Sequence, residues 1–165
     1  MTFYYSQPYI VVGAFIVRDG KILLIQENHY PDKGKWNIPA GKLDFGEDPF
    51  DTAKREAYEE AGLDFTPTAL LGIHSVYRKD VPGEIHALRV IFLGEAKGDV
   101  SLDNGETEDG IAEIVDHKWL TPEEVLAMDD ELFRYHDIKE LTRNFLDKKQ
   151  YSLETIRHIV QSPES

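Results

Sequence analysis

The spacing of apolar positions changes along the chain, and the changes mark out its elements. Pro8–Arg18, PYIVVGAFIVR, is almost continuously apolar and rich in β-branched and aromatic residues, which predicts a buried strand. Asp19-Gly20 is a hairpin signal, and Lys21–Gln26, KILLIQ, predicts the antiparallel return strand. Asn28–Lys35 carries Pro, Gly and charge and predicts a surface loop. Trp36–Ala40 follows, with Trp36 expected as a packed aromatic. The period then lengthens. Phe50, Ala53, Ala57 and Ala61 form a narrow apolar stripe at helical spacing. Asp48-Pro49 supplies an N-cap and first helical residue, and Gly62 a C-cap, so a helix is expected from there to about Ala61.

Downstream, Ala69–Tyr77 and Glu84–Ala96 predict two strands joined by a turn over Arg78–Gly83, followed by an acidic loop over Lys97–Ala112. Glu113–Leu120 predicts another strand. Thr121-Pro122-Glu123-Glu124 predicts a helix start with a capping box. Leu132, Phe133, Ile138, Leu141, Phe145 and Leu146 predict a longer helix over Glu131–Lys148, and Leu153–Val160 a short final one. The expectation is a single α/β domain over residues 1–165. Its core spans about 8–150, a helical tail runs to 161, and a mixed sheet lies between helices.

Composition narrows the function. The 165 residues are 30% charged and 41% hydrophobic, as in a globular chain with a sizeable core. A net charge of −13 argues against nucleic-acid binding through a basic face. With no cysteine there is no thiolate nucleophile or thiolate metal site. No apolar run reaches membrane-spanning length and no secretory leader is evident, so a cytoplasmic protein with no membrane partner is expected.

Candidate chemistry concentrates in Gly41–Leu63, GKLDFGEDPFDTAKREAYEEAGL. Glu56, Glu59 and Glu60 stand at i, i+3 and i+4, within an arc of roughly 100° on one helix. Like charges so crowded repel, and an oxygen-only cluster suits hard Mg²⁺, with Mn²⁺ as a substitute. The plainer reading is a solvated acidic helix carrying an ordinary Arg55–Glu59 pair.

The whole stretch resembles the signature box of the Nudix hydrolases: Gly, five residues, Glu, seven residues, then Arg-Glu-aliphatic-any-Glu-Glu-any-Gly-aliphatic. Only Ala57 departs, being smaller than the pattern prefers, and this implies thinner packing rather than lost chemistry. The resemblance implies an α/β/α sandwich with the box as loop–helix–loop. It also implies Mg²⁺-dependent hydrolysis of a phosphoanhydride in a nucleotide or related pyrophosphate, by water attack on phosphorus.

The resemblance further implies Glu56, Glu59, Glu60 and the Gly41 carbonyl as metal ligands. Arg55 would orient the glutamates, and Glu47 would bond within the loop–helix junction or position water. The general base would be Glu56 or a downstream acid among Glu106, Glu108, Asp109 and Glu113. Glu113 is favoured because a strand end fixes geometry better than a loop. Arg89 is a candidate phosphate contact, or else pairs with surface acids. The six histidines show no metal-ligand spacing, although His74 and His86 could reach a pocket.

Outside the box, Pro39-Ala40-Gly41, Glu27, the Trp119–Glu124 run and Tyr151–Ile156 look similar to the NudJ-type phosphatases of the family, implying di- and triphosphate or organic pyrophosphate substrates. An ADP-ribose or nucleotide-sugar pyrophosphatase is the alternative, and a nucleotide-sensing module that does not cleave is a third reading. A homodimer is common in the family.

Overall fold

The computed structural model describes residues 7–102 and 110–163. The downstream candidates Glu106, Glu108 and Asp109 lie outside the described residues. The remaining chain forms seven strands and three α-helices among the described residues. In order these are β1 Tyr9–Arg18, β2 Lys21–Glu27, β3 Trp36–Asn37, β4 Ala40–Lys42, α1 Pro49–Ala61, β5 Asp64–Arg78, β6 Ile85–Lys97, β7 Ile114–Leu120, α2 Pro122–Ala127 and α3 Asp137–Leu146.

β1 is the organising strand, as its apolar run predicts. It pairs in parallel with β6 from Tyr9↔Ala87 to Ile16↔Gly94. Its C-terminal end pairs antiparallel with β2, and its N-terminal half pairs antiparallel with β4 from Val11↔Lys42 to Gly13↔Ala40. The main sheet order is β3-β2-β1-β6-β5, with β7 pairing β2. Because β1 diverges from β2, β4 lies beside it and brings Gly41 next to the sheet's middle.

The sheet is covered on both faces. On one, Ala53, Ala57 and Ala61 of α1 pack on Val12, Ala14, Ile16, Leu23, Phe65 and Phe92. Alanine every fourth residue leaves little between helix and sheet, so α1 sits close. On the other, Val125, Phe133, Ile138 and Leu141 pack on Phe15, Leu24, Leu71 and Ile91. The result is the expected α/β/α sandwich, with Trp36 buried in the second layer.

Three elements differ most from the sequence expectation. β5 starts at Asp64 rather than Ala69 and runs through Pro67. It lies at a sheet edge, and its register shifts between Pro67 and Ala69, so the missing N–H breaks no ladder. The helix expected over Glu131–Lys148 is a 3₁₀ turn at Asp130–Leu132, an irregular segment, and then α3. Here tertiary contacts prevail: Phe133 bridges Trp36, and the Arg134 N–H donates to the Trp36 carbonyl at 2.9 Å. The final helix reduces to a 3₁₀ turn at Leu153–Thr155. Leu153 and Ile156 dock on the α1 layer, and the exposed polar residues beyond have no apolar surface to hold them in a helix.

Candidate active site

The site grows from the start of α1. Asp48 caps the helix by accepting from the Phe50 N–H at 2.9 Å, and Pro49 follows at the first helical position. At the other end Gly62 adopts φ 69° and its N–H returns to the Tyr58 carbonyl. With both ends fixed, Arg55, Glu56, Glu59 and Glu60 project beside the alanine stripe.

Arg55 is the hub. Its Nε donates to Glu47 Oε1 at 2.9 Å and its Nη2 to Glu47 Oε2 at 3.0 Å, a two-pronged grip that ties the loop to the helix. Its Nη1 donates to Glu56 Oε1 at 2.7 Å and to Glu59 Oε2 at 3.2 Å. Glu47 also accepts from the Thr52 hydroxyl at 2.7 Å and the Asp44 N–H at 3.2 Å. The Arg55 bond is the largest influence on Glu47 and, with these others, holds its carboxyl down at about 2.

Glu56 and Glu60 are in the opposite condition. Burial is the main reason that Glu56 is pushed up to about 7; Arg55 opposes the shift, and the Glu59 and Glu113 charges add to it. Glu60 is 9% exposed and accepts from the Ala40 N–H at 2.9 Å. Burial, then the charges of Glu27 and Glu56, push it well above the usual carboxylate range. Gly41 lies against Glu56 so closely that a Cβ there would overlap the carboxylate.

This donor set fits a hard divalent cation. It is all oxygen, it crowds negative charge away from water, and it leaves the backbone at Gly41 within reach. As placed, no three acidic side chains among the described residues converge on one point that could hold a metal. The reason is visible: Arg55 Nη1 stands between Glu56 and Glu59, and Glu60 is turned to Ala40. A cation would have to draw half-exposed Glu59 away from Arg55.

Glu113 is exposed, immediately before β7 rather than its first residue, and its carbonyl accepts from the Asn28 N–H at 2.8 Å. Its charge is felt at Glu56, which places it on the acidic cluster's side of the molecule.

Arg89 is not brought to the cluster, nor does it pair with surface acids. It is fully buried, donates from Nε to Asp137 Oδ2 at 2.9 Å, and lies 4.0 Å from the centre of the Tyr135 ring. Its Nη1 and Nη2 have no hydrogen-bond partner. His74 also pairs with Asp137, at 3.1 Å, and lines a cavity of about 350 Å³ with Asn144 and Tyr151. His86 bonds Ser75 at 2.8 Å on the exposed surface.

Sequence reasoning missed the buried ionic group behind the box. Glu27, 1% exposed, accepts from Arg134 Nη1 at 2.9 Å, Asn37 Nδ2 at 3.1 Å and His29 Nε2 at 2.9 Å. Asp32, fully buried, accepts from Arg78 at 2.8 and 3.0 Å and lies 3.1 Å from Arg134 Nε. The only sequence signal for these residues was a charge at the end of an otherwise apolar strand, which is not enough to name a partner.

Known proteins resemble this chain over most of its length. A family model described as the NUDIX domain matches residues 8–144. The ADP-ribose pyrophosphatase of Methanocaldococcus jannaschii is 34% identical over 94 residues, 57% of this chain and 54% of that protein, so the chain spans about half that relative's length. The phosphatase NudJ of Escherichia coli K12 is 27% identical over 150 residues, 91% of each chain. A NUDIX hydrolase from Nitrosomonas europaea superposes with a TM-score of 0.79 at 27% identity, covering 93% of this chain and 98% of the other.

Proposed function

Because the chain belongs to the NUDIX domain family, we propose that it is a hydrolase that splits phosphoanhydride bonds in nucleoside di- and triphosphates or related organic pyrophosphates. The single observation that carries this reading is the Glu47–Arg55–Glu56–Glu59–Glu60 constellation beside Gly41. It is an all-oxygen cluster of crowded carboxylates, intact at every charged and glycine position of the box.

Glu56, Glu59, Glu60 and the Gly41 carbonyl would hold Mg²⁺, which when bound supplies neutralisation of phosphate oxygens and a bound water of lowered pKa. The protein's own groups do the positioning. Arg55 and Glu47 hold the loop against the helix so that Glu56 meets the substrate in a fixed place. Glu113, exposed and on the same side of the molecule as Glu56, takes the proton from the attacking water. The water oxygen bonds to phosphorus, the bridging P–O bond breaks, and its electron pair leaves with the departing phosphate oxygen.

The NudJ phosphatase aligns over nearly the whole chain and supports phosphate release from di- and triphosphates. The higher local identity to an ADP-ribose pyrophosphatase supports the second reading, cleavage of a nucleotide-sugar-type linkage. A product-resolved assay with Mg²⁺ separates them. Orthophosphate from several nucleotides is expected. AMP and ribose phosphate from ADP-ribose alone would favour the second reading. Nucleotide binding without any product would leave a sensor.

A further inference from the structure

Beside Gly41 the surface dips into a small cavity of about 70 Å³. Tyr9, Asn37, Lys42, Arg134 and Tyr135 form its polar wall. We propose that this cavity is the subsite for the phosphoryl group that leaves as orthophosphate, and that its size selects substrates ending in a bare phosphate. The assignment rests on the hydrolase reading above and adds to it the residues that choose the substrate's outer end.

The charge is right in a chain of net charge −13. Around Tyr135 stand three guanidiniums, of Arg89, Arg134 and Arg78, at 4.0, 5.4 and 5.5 Å from its ring centre. Three buried carboxylates, Glu27, Asp32 and Asp137, balance them. Lys42 is the cation left over. Its ammonium rests 4.8 Å from the Tyr9 ring centre, with no carboxylate partner among the described residues. An anion in the cavity would meet Lys42, the Asn37 amide, the Arg134 edge and two tyrosine hydroxyls.

The size is right as well. A water's share of liquid volume is about 30 Å³, so the cavity holds roughly two waters, about the bulk of a phosphoryl group. It falls far below the roughly 300 Å³ at which pockets for larger ligands begin. A ribose phosphate or a sugar exceeds that volume and would have to extend out of the cavity. The step balances: water oxygen bonds to the terminal phosphorus, the bridging bond breaks toward the nucleotide, and the water proton passes to the base.

Two variants and two readouts test it. Orthophosphate titration followed by ³¹P NMR in EDTA reads the subsite without catalysis. Lys42→Gln should weaken orthophosphate binding by about tenfold, the usual effect of losing one charge-assisted contact. Tyr9→Ala, which opens the cavity from its partly exposed wall, should raise kcat/KM for ADP-ribose relative to ADP by about tenfold. Equal orthophosphate binding by wild type and Lys42→Gln, with hydrolysis intact, overturns the subsite and leaves the hydrolase reading standing. An unchanged substrate ratio in Tyr9→Ala also overturns it. Orthophosphate binding that depends on Lys42, with no Mg²⁺-dependent hydrolysis of any pyrophosphate, supports the anion site and refutes the hydrolase reading.

Discussion

Arg134→Met tests the buried ionic group directly. Methionine keeps much of the side-chain length and volume, so the loss is mainly of charge. Arg134 pairs with Glu27 at 2.9 Å and Asp32 at 3.1 Å, and both carboxylates are within 1% of full burial. Breaking a buried pair by removing one partner costs about 3–5 kcal/mol. The abandoned carboxylates are not wholly orphaned, because Glu27 keeps Asn37 and His29 and Asp32 keeps Arg78. The lower figure, about 3 kcal/mol, is therefore expected at pH 7. For a domain of this length each kcal/mol shifts Tm by roughly 2–4 °C, so the fall should be about 6–12 °C.

The pH dependence fixes the cause. Burial pushes Glu27 up, but His29, Arg134 and Asn37 together outweigh it and hold the carboxyl at about 2, below the ordinary 4.5. A depressed carboxyl contributes stability that is fully present above its unfolded pKa and is lost as pH falls through the folded one. The Tm gap between wild type and Arg134→Met should thus be widest at neutral pH and narrow between about pH 4.5 and 2. Circular dichroism melts across that range, with Glu27→Gln and the double variant completing a cycle, read the coupling. A loss under about 1 kcal/mol at pH 7 with no narrowing in acid would refute the argument.

Glu60→Gln should abolish turnover while leaving Tm in EDTA equal or higher, because burial and its acidic neighbours raise the Glu60 pKa and its ionised form opposes folding above the unfolded value. Stabilisation by added Mg²⁺ in that variant equal to wild type would remove Glu60 from the metal site. Glu113→Gln should lower kcat by about a hundredfold at unchanged Mg²⁺ affinity, the range of a lost general base. A drop of only a few-fold would return the role to Glu56. Gly41→Ala forces a Cβ into the Glu56 carboxylate and should cut kcat/KM at least about tenfold in a folded protein. Near-normal kinetics would show that Glu56 moves aside without consequence.

The sequence determined what depends on neighbours along the chain. β1 is legible because a long apolar run needs cover on both faces. α1 is legible to its ends, because Asp48, Pro49 and Gly62 act within a turn of where they stand. The grouping of the box glutamates is legible for the same reason: three at i, i+3 and i+4 must share a face whatever the rest of the fold does. Tertiary structure alone decided matters that join distant residues. Arg134 and Glu27 are 107 positions apart, and Arg78 and Asp32 are 46 apart. No periodicity carries such a pairing. The same contacts hold Phe133 and Arg134 against Trp36 and end a helix that local spacing would have continued. They also turn Arg89 from a surface candidate into a buried support for Tyr135. Propensity and capping act within one turn of chain at a kcal/mol or so each, whereas a buried charge must find its partner wherever the fold supplies one, at several times that cost.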